Sequence, residues 1–188
     1  PGSGKTTLAR IIAEKSKAFF EPFSAAVSGV PELRKIIEAA EDRLKNYQKR
    51  TILFVDEIHR FNKAQQDVFL PHVENGTVIL VGATTENPSF ELISPLLSRS
   101  LVVVLSPLSP AHIETIVKKS VADTFRGFGK KKIKITKEGM QKLVYFADGD
   151  ARIALNALEF AVHAIRISPK KEKIITGKHI EEALQKKT

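Results

Sequence analysis

Residues 1–7 of the chain, Pro-Gly-Ser-Gly-Lys-Thr-Thr, carry the strongest indication of its fold. The two glycines allow a sharp backbone turn whose N–H groups point at phosphate oxygens. The helix expected at residues 5–17 presents its positive end to the same anion. Lys5 can reach the β- and γ-phosphates of a nucleotide, and the Thr6 hydroxyl can ligate magnesium. The pattern therefore predicts a phosphate-binding loop made of Pro1, Gly2, Ser3, Gly4, Lys5, Thr6 and Thr7.

The loop motif is incomplete at its first residue. The full pattern is Gly, four residues and then Gly-Lys-Ser/Thr, so the first Gly would lie two residues before Pro1. The chain also begins with Pro inside a motif, and we expect the sequence to start downstream of the true N-terminus. A glycine-rich turn that caps a helix and binds nothing is the competing interpretation.

A second segment, residues 52–57, reads Ile-Leu-Phe-Val-Asp-Glu. Its continuous apolar run has the length of a strand buried on both faces of a parallel sheet. Two acids at the end of such a strand lie at the edge where open α/β sheets bind ligands. Asp56 would bind magnesium, mostly through water, and Glu57 would orient and polarise the attacking water. Together with the loop, the segment predicts a nucleoside triphosphatase and disfavours two exposed turn acids.

Composition limits the classes of protein to which the chain can belong. Its 188 residues suffice for one sizeable domain, or one domain with a small appendage. Apolar residues make up 43%, enough for a core, and no apolar stretch has the length of a membrane span. The absence of Cys excludes disulfides, thiolate zinc sites and Cys nucleophiles, and it fits a reducing compartment.

Charge is distributed unevenly along the chain. Residues 1–106 contain 13 basic and 12 acidic side chains, net +1, whereas residues 107–188 contain 17 and 9, net +8. The basic part indicates a polyanionic partner, nucleic acid before membrane, with a solvated surface as an equal alternative. The clusters at 130–132 and 170–171 have no aromatic neighbours expected to stack on bases. They therefore predict attraction to a nucleic-acid backbone and not sequence reading.

Strands and helices are expected to alternate up to residue 105. Strands are predicted at 19–25, 51–56, 77–83 and 101–105, and helices at 32–47, 63–70 and 95–98. This alternation predicts a parallel sheet flanked by helices. A linker at 106–110 precedes helices at 111–125, 137–147, 151–167 and 177–186, with Thr136 and Thr176 as N-caps. We therefore predict an α/β nucleotide-binding core at 1–106 and a helical second domain at 107–188.

Several strings of residues resemble a known family. The order of motifs along the chain is similar to that of AAA+ ATPases of the clamp-loader clade. The motifs are the phosphate loop, the two acids, a threonine-bearing strand end, Ser98-Arg99 and Gly-Asp-Ala-Arg at 149–152. Residues 56–63 (Asp-Glu-Ile-His-Arg-Phe-Asn-Lys) and 82–90 (Gly-Ala-Thr-Thr-Glu-Asn-Pro-Ser-Phe) resemble the replication-associated recombination protein A family. The Werner-helicase-interacting protein is its eukaryotic relative. The resemblance covers nearly the whole chain and implies a P-loop NTPase (AAA+) fold with a small all-helical lid, which binds ATP and Mg²⁺.

The resemblance also assigns roles to three residues. Thr85 matches the sensor-1 position, which contacts the γ-phosphate or the attacking water, and Thr84 is the close alternative. Arg99 matches the arginine finger that stabilises charge on the phosphoryl group of a neighbouring subunit. Arg152 matches sensor 2 in the lid. The alternatives are ordinary strand-end threonines, a surface Arg at a helix end, and an interdomain salt bridge.

Expectations also attach to three other polar residues. Ser24 matches the polar position that restrains the catalytic Glu in this superfamily, and Ser100 stands where clamp loaders have Cys. His59 is expected to be structural. The remaining histidines are scattered and suggest no metal site.

The chain departs from the family at both ends. Members have a strand and an adenine-contacting segment before the loop, and a C-terminal region that assembles tetramers; neither is present in this sequence. Because the sheet would lack a central strand, an isolated chain starting at Pro1 is expected to fold poorly. It is also expected to bind ATP weakly, since the base pocket would be incomplete.

The sequence thus predicts a magnesium-dependent ATPase module whose turnover is coupled to work on DNA ends or stalled replication forks. Its expected partners are DNA, replication proteins and further copies of itself, and no membrane. The expected location is cytoplasmic, at the nucleoid in a bacterium, or nuclear in a eukaryote. Two alternatives stay open: a Holliday-junction branch-migration or clamp-loader subunit, and a nucleotide-binding scaffold without useful hydrolysis. A small-molecule P-loop kinase is disfavoured, because it would not explain the arginine finger or the helical lid.

Overall fold

The structure is a computed structural model that describes residues 2–164 and 173–185. The chain divides into two compact units, Gly4–Val104 and Leu105–Thr188 with Pro1–Ser3. Some expectations fall on Pro1, residues 165–167, Lys170, Lys171 and Lys186, which lie outside the described residues.

Three parallel strands form the centre of the first unit. They are β1 (Phe19–Ser24), β2 (Thr51–Asp56) and β3 (Val78–Gly82), in the order β1-β2-β3. The middle strand, β2, is buried over its first five residues, as its apolar run predicts. Because the strands are parallel and in register, Ser24 lies beside Asp56 and Val55 beside Gly82. Their carboxyl ends therefore share one edge of the sheet.

Helices cover both faces of this sheet. On one face, α1 (Lys5–Lys15) places Ala9 against Phe54 of β2. On the other, α2 (Val30–Tyr47) packs against the neighbouring residues of the same strand. The buried side chains of that second cluster include Leu33, Ile37, Ala40, Leu53 and Val55. Successive residues of β2 thus point to opposite faces, as the strand pleat requires.

The direction of α1 follows from its short connection to β1. Only residues 16–18 separate Lys15 from Phe19, so the helix ends near the start of β1. An 11-residue helix is about 16 Å long and a six-residue strand about 20 Å, so the two have similar spans. The first turn of α1 therefore lies at the carboxyl edge of the sheet.

Short helices fill the connections around β3. A 3₁₀ turn at Ile58–Arg60 leads to α3 (Lys63–Asp67) and α4 (Leu70–Glu74), and α5 (Pro88–Glu91) and α6 (Ser94–Leu97) follow β3. The prediction of one helix at 63–70 was wrong. Pro71 has no N–H for the carbonyl of Asp67, and its ring crowds that turn, so the helix stops and a new one begins.

The predicted strand at 101–105 was also wrong, because these residues have no regular structure. A strand needs a neighbour for its N–H and C=O groups, and no described strand pairs with this segment. Its apolar side chains are exposed instead: Leu101, Val102, Val103 and Val104. The β-branched residues of this segment explain why a strand was predicted. Whether a neighbouring strand is available depends on the fold, which the local sequence does not show.

The second unit is built mainly from helices, as predicted. They are α7 (Pro110–Ala122), α8 (Lys137–Ala147), α9 (Ala151–Ala164) and α10 (Gly177–Gln185), with a 3₁₀ turn at Gly129–Lys131. Their shared core includes Ile113, Val117, Leu143, Leu158 and Ile180. The structure adds a pair of parallel strands, β4 (Ile133–Ile135) and β5 (Lys173–Ile175), which are too short to show a sequence periodicity.

The expected hydroxyl cap is present on α8, whereas at α10 the Thr176 hydroxyl contacts a histidine side chain. The Thr136 hydroxyl accepts a hydrogen bond from the Gly139 N–H at 3.1 Å. Thr176 precedes α10, and both its N–H and its hydroxyl lie 3.1 Å from Nδ1 of His179. Within residues 2–164 and 173–185, every helix is too short or too polar to span a bilayer.

Candidate functional site

The predicted phosphate loop enters α1 through a left-handed glycine. Gly4 is the N-cap of α1 with φ 93° and ψ 20°, a conformation that side-chain-bearing residues rarely adopt. No side chain caps the helix, and its first turn contains no acid. The free N–H groups of this turn therefore suit an external anion. Gly2 (φ 63°) and Ser3 fall in the other unit, where the Gly2 carbonyl accepts a 3.4 Å hydrogen bond from Ala151.

Three side chains at this edge of the first unit carry the predicted phosphate and magnesium contacts. Lys5, Thr6 and Asp56 are half-buried, and among the described residues none has a side-chain hydrogen bond or ion pair. Thr7 is exposed. A half-buried ammonium or carboxylate without a partner is unfavourable unless a ligand supplies the opposite charge. The donor set therefore fits a phosphate at Lys5 and a cation at Asp56.

The type of cation follows from the ligands on offer. Within the described residues, no three His, Cys, Asp or Glu side chains cluster as a closed metal site. A single carboxylate with a hydroxyl is instead the incomplete oxygen set that Mg²⁺ uses when phosphates and water complete its shell. Asp56 and Thr6 fit that ion.

Glu57, directly after Asp56, is held by its backbone and by its side chain. Its backbone is left-handed (φ 53°, ψ 46°), which is unusual for a residue with a Cβ. The following N–H, of Ile58, donates to the Ala83 carbonyl at 3.0 Å, which ties this turn to the end of β3. The Glu57 carboxylate Oε2 lies 3.3 Å from Nε2 of His59. Strained backbone held by surrounding bonds is a common feature of functional sites.

His59 connects several groups that the sequence placed apart. Its Nε2 faces both Glu57 and Oε1 of Glu86 (3.4 Å), and its Nδ1 lies 2.9 Å from the Thr84 hydroxyl. The same hydroxyl accepts a hydrogen bond from the Glu86 N–H at 3.0 Å. We name Glu57, His59, Thr84 and Glu86 the histidine cluster. From the sequence, His59 was expected to be structural, and Glu86 was overlooked. The only sequence indication that the two lie close together is that they follow the ends of adjacent strands, β2 and β3.

The two threonines at the end of β3 differ in the structure. Thr84 is half-buried and belongs to the histidine cluster. Thr85, the expected sensor-1 residue, is exposed and has no side-chain hydrogen bond among the described residues. The structure thus connects the alternative, Thr84, to Glu57 through the two nitrogens of the His59 ring. Ser24 pairs with Asp56 in the sheet register, but its hydroxyl bonds no described group.

Arg99 lies just after α6 and is bonded within its own unit. Its guanidinium forms a 2.7 Å ion pair with Glu74 and donates to the Pro95 carbonyl at 3.0 Å. Its side chain is still 45% exposed, so the guanidinium remains accessible. Exposed ion pairs contribute about 0.2–1 kcal/mol, and a stronger anion can replace Glu74.

In the second unit, Arg152 lies at the start of α9. Asp150 caps that helix, because its Oδ1 accepts hydrogen bonds from the N–H groups of Arg152 (2.7 Å) and Ile153 (3.3 Å). The Arg152 guanidinium is 71% exposed and 3.9 Å from the same carboxylate. Gly149 (φ 79°) precedes it, and a Cβ there would come within 2.7 Å of Pro107. The Gly-Asp-Ala-Arg string thus forms a tight turn, a cap and an exposed cation.

One expectation about the basic region needs correction. The lysines at 130–132 were expected to lack aromatic neighbours that stack on bases, but Nζ of Lys131 lies 5.3 Å from the centre of the Phe128 ring. Phe125, earlier in the same loop, is 90% exposed. Phe125 and Phe128 both lie within a few residues of the lysines in the sequence. The turn at 123–129 brings the Phe128 ring against Lys131.

Comparison with known families places this geometry in a class. The model for the "ATPase family associated with various cellular activities (AAA)" matches residues 1–108, and the "AAA C-terminal domain" model matches residues 129–188. The chain therefore belongs to the AAA family of P-loop ATPases, with a parallel sheet flanked by helices and a C-terminal lid domain.

Individual relatives identify the family within this class. The chain is 53% identical to "Replication-associated recombination protein A" of Haemophilus influenzae over 163 residues, which is 86% of this chain and 36% of that protein. It is 46% identical to "ATPase WRNIP1" of Dictyostelium discoideum over 164 residues, 87% of this chain and 18% of that protein. The expected resemblance to this family is confirmed. The chain spans about a third of the length of such bacterial relatives (36%).

A solved structure shows the same architecture. A RuvB mutant of Thermotoga maritima superimposes with a TM-score of 0.75 at 25% sequence identity, over 98% of this chain and 59% of that one.

Proposed function

We propose that this module binds ATP with Mg²⁺ and hydrolyses it. The observation that carries the proposal is the contrast between adjacent acids at the carboxyl edge of the sheet. The Asp56 carboxylate has no hydrogen-bond or ion-pair partner among the described residues, whereas the Glu57 carboxylate contacts His59. A free carboxylate suits a metal ion, and a held one suits the orientation of a water molecule. Membership of the AAA family supports the same activity.

Each residue has a separate task in this proposal. The N–H groups at the start of α1 and the Lys5 ammonium bind the β- and γ-phosphates, and Thr6 and Asp56 hold Mg²⁺. When bound, Mg²⁺ offsets negative charge on the phosphate oxygens. Glu57 accepts a hydrogen bond from the attacking water and takes its proton as the water oxygen bonds to the γ-phosphorus; the bond from that phosphorus to the bridging oxygen breaks, and the oxygen leaves with ADP. Thr84 or Thr85 contacts the γ-phosphate or the same water.

Two arginines are proposed to act on the nucleotide in addition to these residues. Arg99 acts in trans on the nucleotide of a neighbouring subunit, where it stabilises charge on the transferring phosphoryl group. Its exposure and its weak ion pair with Glu74 support this role. Arg152, exposed at the start of α9, acts as sensor 2 from the lid.

Hydrolysis is proposed to be coupled to work on DNA during replication and recombination, at DNA ends or stalled forks. The names of the relatives support this coupling, and the +8 net charge of residues 107–188 supports an anionic partner. The partners proposed are DNA, replication proteins and further copies of the chain. The location proposed is cytoplasmic, at the nucleoid in a bacterium, or nuclear in a eukaryote.

The test is steady-state phosphate release by the full-length protein that contains this chain. We expect Mg²⁺-dependent release that rises when single-stranded DNA ends or forked DNA are added and falls as salt increases. Glu57→Gln should keep nucleotide binding and lose turnover. Nucleotide binding without turnover in the unaltered protein would favour a scaffold that recruits replication proteins.

A second candidate is a branch-migration or clamp-loading ATPase subunit. The structural similarity to the RuvB mutant favours it, since the fold matches over nearly the whole chain. Both candidates share the hydrolysis chemistry, so the preferred DNA structure separates them. Stimulation that is greatest with four-way junctions would support the second candidate, and stimulation by ends or forks the first.

A further inference from the structure

We propose that His59 is a positioning residue for hydrolysis, which holds the Glu57 carboxylate and links it to the end of β3 through Thr84. The inference rests on the proposed function, because it assigns Glu57 the task of orienting water. It gives a role in hydrolysis to His59, which was predicted from the sequence to be structural. All of the residues involved lie in the first unit, between positions 57 and 86.

The hydrogen-bond partners determine which nitrogen of His59 carries the proton. Nε2 faces two carboxylates, Glu57 at 3.3 Å and Glu86 at 3.4 Å. An ionised carboxylate can only accept, so Nε2 must be the donor. Nδ1 then accepts the Thr84 O–H in the neutral ring, and the Thr84 oxygen accepts the Glu86 N–H. The chain of bonds runs in one direction, from the Glu86 backbone to the Glu57 carboxylate.

The ring itself is fixed in place. Its side chain is only 9% exposed, against 34% for Glu57 and 51% for Glu86. The backbone on both sides is bonded, since Ile58 donates to the Ala83 carbonyl (3.0 Å) and Arg60 donates to the Glu57 carbonyl (2.9 Å). A buried ring whose Nδ1 is hydrogen-bonded to Thr84 is less mobile than the carboxylate it contacts, so the ring orients the carboxylate.

Glu57 needs such a support. It sits in a left-handed backbone conformation, and apart from His59 no described side chain bonds its carboxylate. Without the ring, the half-exposed carboxylate would rotate freely about its side-chain torsions. Because a misplacement of about 1 Å at a reacting group costs on the order of 100-fold in rate, the orientation given by His59 is worth a measurable factor.

Glu86 shares the same donor and so competes with Glu57. One N–H cannot be directed fully at two carboxylates, and both distances are long for a charge-assisted bond. We therefore expect Glu86→Gln, which removes the competing charge, to raise kcat. Unchanged or lowered kcat would show that Glu86 does not compete with Glu57 for the ring.

The experiment compares three substitutions of His59 in the full-length protein. Gln can place a donor near the position of Nε2, Asn can replace only Nδ1, and Ala replaces neither. We expect His59→Asn and His59→Ala to lower kcat about 10- to 100-fold, with nucleotide affinity unchanged. His59→Gln should remain within about threefold of the unaltered protein. The control is His72→Gln, which removes another His–carboxylate pair, with Glu41 at 3.4 Å, and should not change kcat.

A double substitution separates positioning from general damage. In a Glu57→Gln background, His59→Ala should cause no further loss of the residual turnover, because the group that it positions is gone. A further loss of the same size, or equal losses for Gln and Asn, would overturn the proposal. If His59→Ala does not fold, Thr84→Val takes its place, with an expected loss of about two- to tenfold; unchanged kcat would overturn it.

The outcome also distinguishes this inference from the proposed function. If Glu57→Gln keeps full turnover, the assignment of Glu57 fails and the role of His59 fails with it. If Glu57→Gln is inactive while all His59 variants are active, only the positioning role is lost.

Discussion

Two regions at the same edge of the sheet differ in how their side chains are bonded. The phosphate side, made of Gly4, Lys5 and Asp56, offers N–H groups, an ammonium and a carboxylate without side-chain partners among the described residues. The histidine cluster, which starts one residue later at Glu57, is bonded throughout. Unbonded groups gain a partner only when a ligand arrives, whereas bonded groups already have their geometry. The first region should therefore control affinity, and the second should control rate.

The largest effect is expected at Arg99, which belongs to neither region and is bonded to Glu74 of its own unit. In the assembled full-length protein, Arg99→Ala should lower turnover by about 10³- to 10⁵-fold, because a finger in trans stabilises transition-state charge. Turnover measured across the assembly concentration range, with light scattering to follow assembly, checks this.

Glu74→Gln is the matched control for Arg99. It removes the in-chain partner and should leave turnover of the assembled protein unchanged or higher, since the guanidinium is released. An equal loss for Arg99→Ala at concentrations where the protein is monomeric would contradict action in trans.

The next effect concerns the two adjacent acids. Glu57→Gln should lower kcat by about 10²- to 10⁴-fold with nucleotide affinity unchanged, because a general base is lost. Asp56→Asn should instead raise the Mg²⁺ concentration needed for half-maximal turnover. Phosphate release measured over a magnesium titration distinguishes the two variants. If both change kcat and the magnesium requirement in the same way, the proposed division between rate and affinity is wrong.

A smaller effect is expected on the phosphate side. Lys5→Met should weaken nucleotide binding about 10- to 100-fold, the size of a charge-assisted hydrogen bond. Because Lys5 has no partner among the described residues, the free energy of unfolding without nucleotide should change by less than about 0.5 kcal/mol. Lys15→Met, at the other end of α1, is the control; denaturant unfolding that shows a large loss for Lys5→Met would mean an overlooked contact.

The smallest effect tests whether a bonded side chain contributes stability at all. Thr136→Ala removes the hydroxyl that caps α8 and should lower the free energy of unfolding by about 1 kcal/mol. Thr136→Ser keeps the hydroxyl and should cost less. Thermal unfolding checks the pair, and identical melting temperatures for both variants would show that the cap is dispensable.

Much of this arrangement could be predicted from local patterns. The acid-tipped apolar run of β2 indicated a central strand, and the hydroxyl at Thr136 indicated a helix start. Both depend on a few consecutive residues, so the sequence contains the whole cause. The break at Pro71 was also present in the sequence and was overlooked.

Other features depend on residues that are distant in the chain. The bond between His59 and Thr84 spans 25 positions and arises because β2 and β3 end side by side. The segment 101–105 has β-propensity but no neighbour among the described strands, and no single-residue property reveals that. The motif predicted a catalytic role for Glu57 from the sequence alone. The role of His59 in orienting Glu57 could be inferred only once the register of β2 and β3 was known.

The left-handed backbone of Glu57 has a consequence for protein engineering. Glycine would occupy φ 53° and ψ 46° with less strain, by about 1 kcal/mol. A selection for thermal tolerance alone would therefore favour replacing the proposed general base, and its most stable variants would be catalytically silent. Libraries built on this scaffold need an activity filter at position 57 to avoid that drift.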